Sequence, residues 1–141
     1  MYETILVTLD ASPTDHTILS HIIPLAKRMN SKLVLLHVAD SWAARTYGKD
    51  AIHNELTEDE AYLRNVRDEL KAEGIEVETE LAYGEPANEI VRWVKERHCD
   101  LIAMSTHGHR LLGDILFGTT AQKVQHMVSV PVLMLRQEKP K

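Results

Sequence analysis

A chain of 141 residues has the size of one domain with room for a hydrophobic core, and residues 1–141 are read as a single domain. Its formal net charge of −5 speaks against a nucleic-acid or anionic-membrane surface, and no apolar run approaches the ~20 residues of a membrane helix. A lone cysteine, Cys99, excludes a disulfide framework and a cysteine-based zinc cluster.

Met1-Tyr2-Glu3-Thr4 enters a strand pattern directly and has no signal-peptide character, so the expected compartment is the cytoplasm. Thr4 to Leu9 is a short, mostly apolar run closed by Asp10, as in a strand buried on both faces. Ser12-Pro13-Thr14-Asp15 opens a helix, with Ser12 as N-cap, Pro13 in the first helical position and Asp15 in the first turn. Ile18, Ile22, Leu25, Ala26 and Met29 keep helical spacing, and Asn30-Ser31 closes the segment. Pro24 interrupts the pattern. It removes a helix hydrogen bond at a cost of about 3 kcal/mol, which predicts a kink or a break.

Lys32 to Ala39 is the second buried strand. Asp40 to Ile52 is polar and irregular. Thr57 and Glu60 then match a capping box, which predicts a helix starting there, with Leu63, Val66 and Leu70 on its inner face and Gly74 as its C-terminal cap. Ile75 to Leu81 alternates apolar and charged residues, as an edge strand does. Gly84-Glu85-Pro86 opens a helix whose Ile90, Val91 and Val94 face inward, and Leu101 to Met104 is a fourth strand. The stretch Ser105 to Gly118 bears glycines at 108, 113 and 118, and a last helix is predicted from near Thr120, where Thr119 and Gln122 fit a capping box. Ala121, Val124 and either Met127 or Val128 face inward on it. Val130 to Leu135 is the fifth strand, and Gln137 to Lys141 is a charged tail.

Strands alternating with helices predict an α/β fold: a five-stranded parallel sheet with helices on both faces. With strand order 3-2-1-4-5 the winding reverses between the first and fourth strands, and ligands in such sheets sit there, beyond the carboxyl ends of the strands. Asp10 and the Ser105–Gly108 turn fall at those two ends. A glycine turn after a strand, followed by a glycine opening a helix, can gather free amides around an anion. The loop has neither the Walker A pattern nor the Gly-x-Gly-x-x-Gly fingerprint. Its apolar residues Leu111, Leu112, Ile115, Leu116 and Phe117 read as packing, and Arg110 is the base that could pair a terminal phosphate.

Several motifs together resemble the universal stress protein family over nearly the whole chain. They are the strand ending in Asp10 and Ser12, His37-Val38 closing the second strand, Gly84-Glu85-Pro86-Ala87, the run Asp100 to Gly108, Ser105-x2-Gly108-x9-Gly118-Thr119, and Val130-Pro131-Val132-Leu133. Ser105 stands where the family's nucleotide motif has its first glycine, a departure that is costly if φ at 105 is positive. The resemblance implies a Rossmann-like open sandwich that binds ATP, or ADP or AMP, with Mg²⁺. It implies backbone amides of Gly108, Gly118, Thr119 and Thr120 on the phosphates, with the Thr119 and Thr120 hydroxyls as further donors. It places Asp10 against the ribose or a phosphate-bound Mg²⁺, and Thr8, Leu9, Val38 and Met104 around the adenine, Val38 through its backbone. It also implies a homodimer formed through the strand Val130–Leu135, and a stress regulator with an unidentified protein partner. A nucleotide-independent interaction module of the same fold is the alternative.

Among the histidines, His107 shapes the turn beside the ligand and His37 packs at a strand end. His107 and His109 lack a third partner for a metal. Asp10 also fits a plain strand-end turn. No Ser-His-Asp set or other catalytic grouping stands out, so at most slow ATP hydrolysis is expected.

Overall fold

Five short strands form one parallel sheet in the order β3-β2-β1-β4-β5. They are β1 (Thr4–Thr8), β2 (Lys32–Ala39), β3 (Glu76–Tyr83), β4 (Leu101–Ser105) and β5 (Val132–Leu135). The computed structural model describes residues 1–39, 49–105 and 113–136, with 49–57 and 113–119 described by their backbone. Among the described residues four helices connect the strands: α1 (Thr14–Met29), α2 (Lys49–Ala72), α3 (Pro86–Glu96) and α4 (Gly113–Met127).

The central strand β1 pairs on one side with β2, Leu6 opposite Val34, and on the other with β4, Leu6 opposite Ile102. Its side chains alternate between the two faces of the sheet. Ile5 and Val7 join a core built with Ile18, Ile22 and Ala26 of α1 and Leu63, Val66 and Leu70 of α2. Leu6 joins a second core with Ala87, Ile90 and Val94 of α3 and Ala121 and Val124 of α4. Burial on both faces is why β1, β2 and β4 read as continuous apolar runs. At the base of the sheet the Asp100 carboxylate accepts the Glu3 and Thr4 amides at 2.9 and 3.1 Å, fixing the start of β4 against that of β1.

The helix ends follow local chemistry. Pro13 has helical dihedrals (φ −56°, ψ −22°), and the Thr14 amide donates to Ser12 Oγ at 3.3 Å, so Ser12 and Pro13 start α1 as their types predict. Asn30 closes it in the left-handed region at φ +55°. The Glu85 carboxylate caps α3 by accepting the Ala87 and Asn88 amides. Gly84, at φ +125° ahead of it, holds a backbone shape that other residues resist.

Other expectations are corrected. No break occurs at Pro24; α1 continues through it. Pro24 and Ser20 are both exposed, so the Ser20 carbonyl that loses its donor faces water. Met29 is exposed rather than part of the core. The second helix starts at Lys49, not Thr57, so residues 49–52 are helical and the Thr57/Glu60 spacing lies inside α2. Residues 40–48 lie outside the described residues. β5 begins at Val132, two residues later than expected.

The largest correction concerns the last helix, which begins at Gly113 rather than near Thr120. Gly118 is then an interior residue and Thr119 is no N-cap. An interior glycine costs only about 1 kcal/mol, too little to end a helix by itself.

Candidate functional site

A cleft opens beyond the carboxyl ends of β1, β2 and β4, at the point where the winding of the sheet reverses. Seven of the residues singled out from sequence line it: Thr8, Leu9, Asp10, Val38, Met104, Ser105 and Thr120. Leu36 adds to the apolar wall on β2, Ile18 comes from α1, and Pro86 and Ile90 come from the start of α3. These four escaped the sequence reading because each looks like ordinary packing. His107, Gly108 and Arg110 lie outside the described residues, and of Gly118 and Thr119 only the backbone is described.

Ser105 ends β4 inside the sheet, paired in register with Leu135. It is not among the residues with positive φ, so serine fits here without the penalty that a left-handed position would impose. Thr120 brings α4 to the cleft. The unpaired amides of a helix belong to its first turn, and here that turn begins at Gly113. The amides of Gly118, Thr119 and Thr120 lie beyond it, so in this form of α4 they are not free donors for an anion. The helix-start argument for Gly118 is corrected on that ground.

The turn after β1 is the most constrained part of the wall. Asp10 Oδ1 accepts both the amide of Ser12 (3.1 Å) and its hydroxyl (2.5 Å), so Asp10 is a turn-former as well as a cleft residue. Ala11 is left-handed at φ +61°, a shape costing roughly 1–2 kcal/mol in a residue with a side chain. Ala11→Gly is therefore expected to stabilise the fold by about 0.5–1 kcal/mol, read as a higher urea midpoint at unchanged slope. An unchanged or lower midpoint would show that the turn is not strained.

Asp15 holds this turn from behind. Only 2% exposed, its carboxylate accepts the amides of Asp10 (3.0 Å) and Ala11 (2.8 Å) and the hydroxyl of Tyr62 (2.6 Å). Its sequence signal was that of a first-turn helix acid. The spacing Ser12-x-x-Asp15 is that of a capping box, with the acid reaching past Ser12 to the amides one and two residues before it. Burial pushes the Asp15 carboxyl up to about 6, helped by the neighbouring charge of Asp10 and opposed by the Tyr62 and Asp10 hydrogen bonds. Burial and the bond to Asp15 hold Tyr62 well above its ordinary value, so its hydroxyl stays a donor.

A raised carboxyl means that the folded chain holds this proton more tightly than the unfolded chain, whose value is near 3.8. The resulting stabilisation is complete below about pH 4 and lost as pH rises through about 6, on the order of 3 kcal/mol. Urea unfolding of the native chain and Asp15→Asn at several pH values checks this. The difference in stability between them should shift across that window, and parallel pH profiles would contradict it.

His37, expected only to pack, lines the cleft and bridges two elements. Its Nδ1 donates to the carbonyl of Leu9 at 2.8 Å, and its Nε2 lies 3.1 Å from Asp59 Oδ2 on α2. Both oxygens are acceptors, so both bonds are made together only by the doubly protonated ring.

Chemically, the cleft has an apolar slot (Leu9, Ile18, Leu36, Val38, Ile90, Met104) edged by the polar side chains of Thr8, Asp10, Ser105 and Thr120. That combination fits a small organic ligand with an apolar body and hydrogen-bonding groups. No group of three His, Cys, Asp or Glu side chains among the described residues could hold a metal ion, so a hard cation here would need oxygens from its ligand besides Asp10. Among the described residues no helix is long and apolar enough to cross a membrane.

A profile described as "Universal stress protein family" matches residues 1–136. Universal stress protein YxiE of Bacillus subtilis (strain 168) is 29% identical over 148 residues, covering 96% of this chain and all of the relative. The solved structure of MJ0577, a universal stress protein of Methanocaldococcus jannaschii, matches with a TM-score of 0.86 at 29% identity, over 99% of each chain. A universal stress protein from Archaeoglobus fulgidus, solved in complex with dAMP, shares the fold at a TM-score of 0.70 and 23% identity, over 95% of this chain and 98% of that one. With the profile spanning nearly the full length and the sheet order as expected, the chain belongs to the universal stress protein family.

Proposed function

We propose that this chain binds an adenine nucleotide in the cleft and acts as a nucleotide-responsive stress regulator. The observation that carries the proposal is the convergence of Thr8, Leu9, Asp10, Val38, Met104, Ser105 and Thr120, from four separate elements or their ends, on one cleft. The dAMP complex of the Archaeoglobus relative supports the choice of ligand class. Leu9, Val38 and Met104 would enclose the base, with Val38 also offering backbone groups. Asp10 would accept from the ribose hydroxyls or, with ATP, help hold a Mg²⁺ that the phosphates bring. Ser105 and Thr120 would face the phosphates, which His107, Gly108 and Arg110 would complete by family resemblance, with the Gly118 and Thr119 amides joining once the first turns of α4 open around the ligand. No residue is assigned a catalytic role.

Association of two chains through β5 belongs to the same proposal. Leu133 is exposed and Val132 and Met134 are partly so. The opposite edge, β3, carries Glu76, Glu78 and Glu80, with Glu78 2.6 Å from Lys32 and Glu80 paired to Arg97. Charge guards β3 against edge pairing, whereas β5 is apolar and open to it. The cytoplasm is the compartment proposed.

Calorimetric titration with Mg-ATP, ADP and AMP, paired with thermal unfolding, tests the binding. Saturable heat at one site per chain and a raised melting point are expected. No heat and no shift at millimolar ligand would overturn the reading. The interior position of Gly118 in α4 favours one second reading, an interaction module that needs no nucleotide. Gly118→Val separates the two: the regulator should lose its cellular effect together with its binding, and the module should keep it.

A further inference from the structure

Asp59 and Tyr62 lie three residues apart, hence on one face of α2. Each makes a polar contact to a cleft residue that in turn grips the turn after β1. Tyr62 donates to Asp15, which accepts the amides of Asp10 and Ala11. Asp59 faces His37 Nε2, and His37 Nδ1 donates to the Leu9 carbonyl. The two consecutive peptide groups that link Leu9, Asp10 and Ala11 are thus held through two side-chain relays that end on the same helix. One of these residues is left-handed and disfavoured without such support.

Docking of α2 does not call for these contacts. Leu63, Val66 and Leu70 already bury the inner face of the helix against the sheet. His37 and Asp59 are nearly buried, at 12% and 13% side-chain exposure, and Asp15 is buried outright. Apolar side chains would fill those places without the desolvation that polar groups incur. What the polar groups add is direction: they set where the Leu9 carbonyl and the Asp10 carboxylate point.

We propose that Tyr62 and Asp59 of α2 are positioning residues for the cleft, holding the Leu9–Ala11 peptide so that Asp10 meets the ligand. The ligand half of this rests on the nucleotide reading above; the positioning half does not. Because coupling is reciprocal, a ligand that engages Asp10 also tightens the attachment of α2.

Amide exchange by NMR tests the positioning in the ligand-free protein. Tyr62→Phe and Asp59→Ala should each speed exchange at Asp10 or Ala11 by about fivefold or more, the worth of one hydrogen bond, while Leu33 to Leu36 at the centre of β2 stay unchanged. Asp59→Asn, whose amide can donate to a neutral His37 ring, should restore the slow exchange. Unchanged rates at Asp10 and Ala11 in both Tyr62→Phe and Asp59→Ala would overturn the proposal, as would an equal rise throughout the sheet. In the same samples Mg-ATP affinity should fall about fivefold in Tyr62→Phe and Asp59→Ala and recover in Asp59→Asn. Equal affinity in all four proteins would also overturn it. Failure of the native chain to bind any nucleotide would instead sink the nucleotide reading, with the exchange rates still deciding the positioning.

Discussion

Asp10→Ala is expected to weaken Mg-ATP binding by about tenfold to a hundredfold while leaving the fold intact. The ligand-side figure follows from a carboxylate accepting hydroxyl hydrogen bonds, each charge-assisted bond being worth roughly 1.5–3 kcal/mol. Within the fold Asp10 accepts the Ser12 amide and hydroxyl, a pair worth about 1–2 kcal/mol. Ser12→Ala isolates that local part: it removes the hydroxyl bond and leaves the carboxylate in the cleft. Calorimetry on the native chain and both variants, with melting points alongside, distinguishes the two contributions. Affinity should drop sharply in Asp10→Ala and little in Ser12→Ala. Equal affinity in the native chain and Asp10→Ala would remove Asp10 from the site.

The largest effect on stability belongs to Leu6. It is fully buried, stands between Val34 and Ile102 in register, and packs in the core beneath α3 and α4. Leu6→Ala removes apolar surface and leaves a cavity between the sheet and the helices α3 and α4, at a cost of about 3–5 kcal/mol. Against a total stability of roughly 5–15 kcal/mol for a domain, that is a drop of about 10–20 °C in melting temperature. Leu133→Ala on β5, where the side chain is 36% exposed, is the control. It should change monomer stability by under about 1 kcal/mol. Urea unfolding that gave the two variants similar losses would contradict the placement of the core.

What could be read ahead of the structure follows from where the physics is local. β1, β2 and β4 are buried on both faces, so their apolar runs announce themselves within a few residues. Ser12, Pro13, Asn30, Gly74 and Gly84 mark helix boundaries because their effects reach only one turn of chain. The helix starts at Thr57 and Thr119 were misplaced for the converse reason. A Thr and a Glu or Gln three apart also occur inside helices, and local spacing does not say whether a preceding turn continues the helix. Pro24 does not break α1, because the cost of the lost hydrogen bond depends on exposure, which the sequence does not state.

The cleft divides in the same way. Asp10 and Ser105 are strand ends and could be placed once the sheet order was assumed. The roles of Thr8, Leu9, Val38 and Met104 came from family resemblance rather than from periodicity, and the structure brings them to one cleft. The partnership of Asp15 with Tyr62 spans 47 positions, and that of His37 with Asp59 spans 22. No pattern in a single sequence reports such pairs, because each depends on how α2 docks against the sheet.

The most direct measurement is a two-dimensional amide NMR titration of isotope-labelled protein with Mg-ATP, since it reports both whether nucleotide binds and where. Saturable shifts are expected at Thr8 to Ser12, Val38, Met104 to Arg110 and Gly118 to Thr120, with the far edge at Glu76 to Glu80 silent. A spectrum unchanged at millimolar Mg-ATP, or shifts gathered away from the carboxyl ends of β1 and β4, would contradict the assignment of this cleft to a nucleotide.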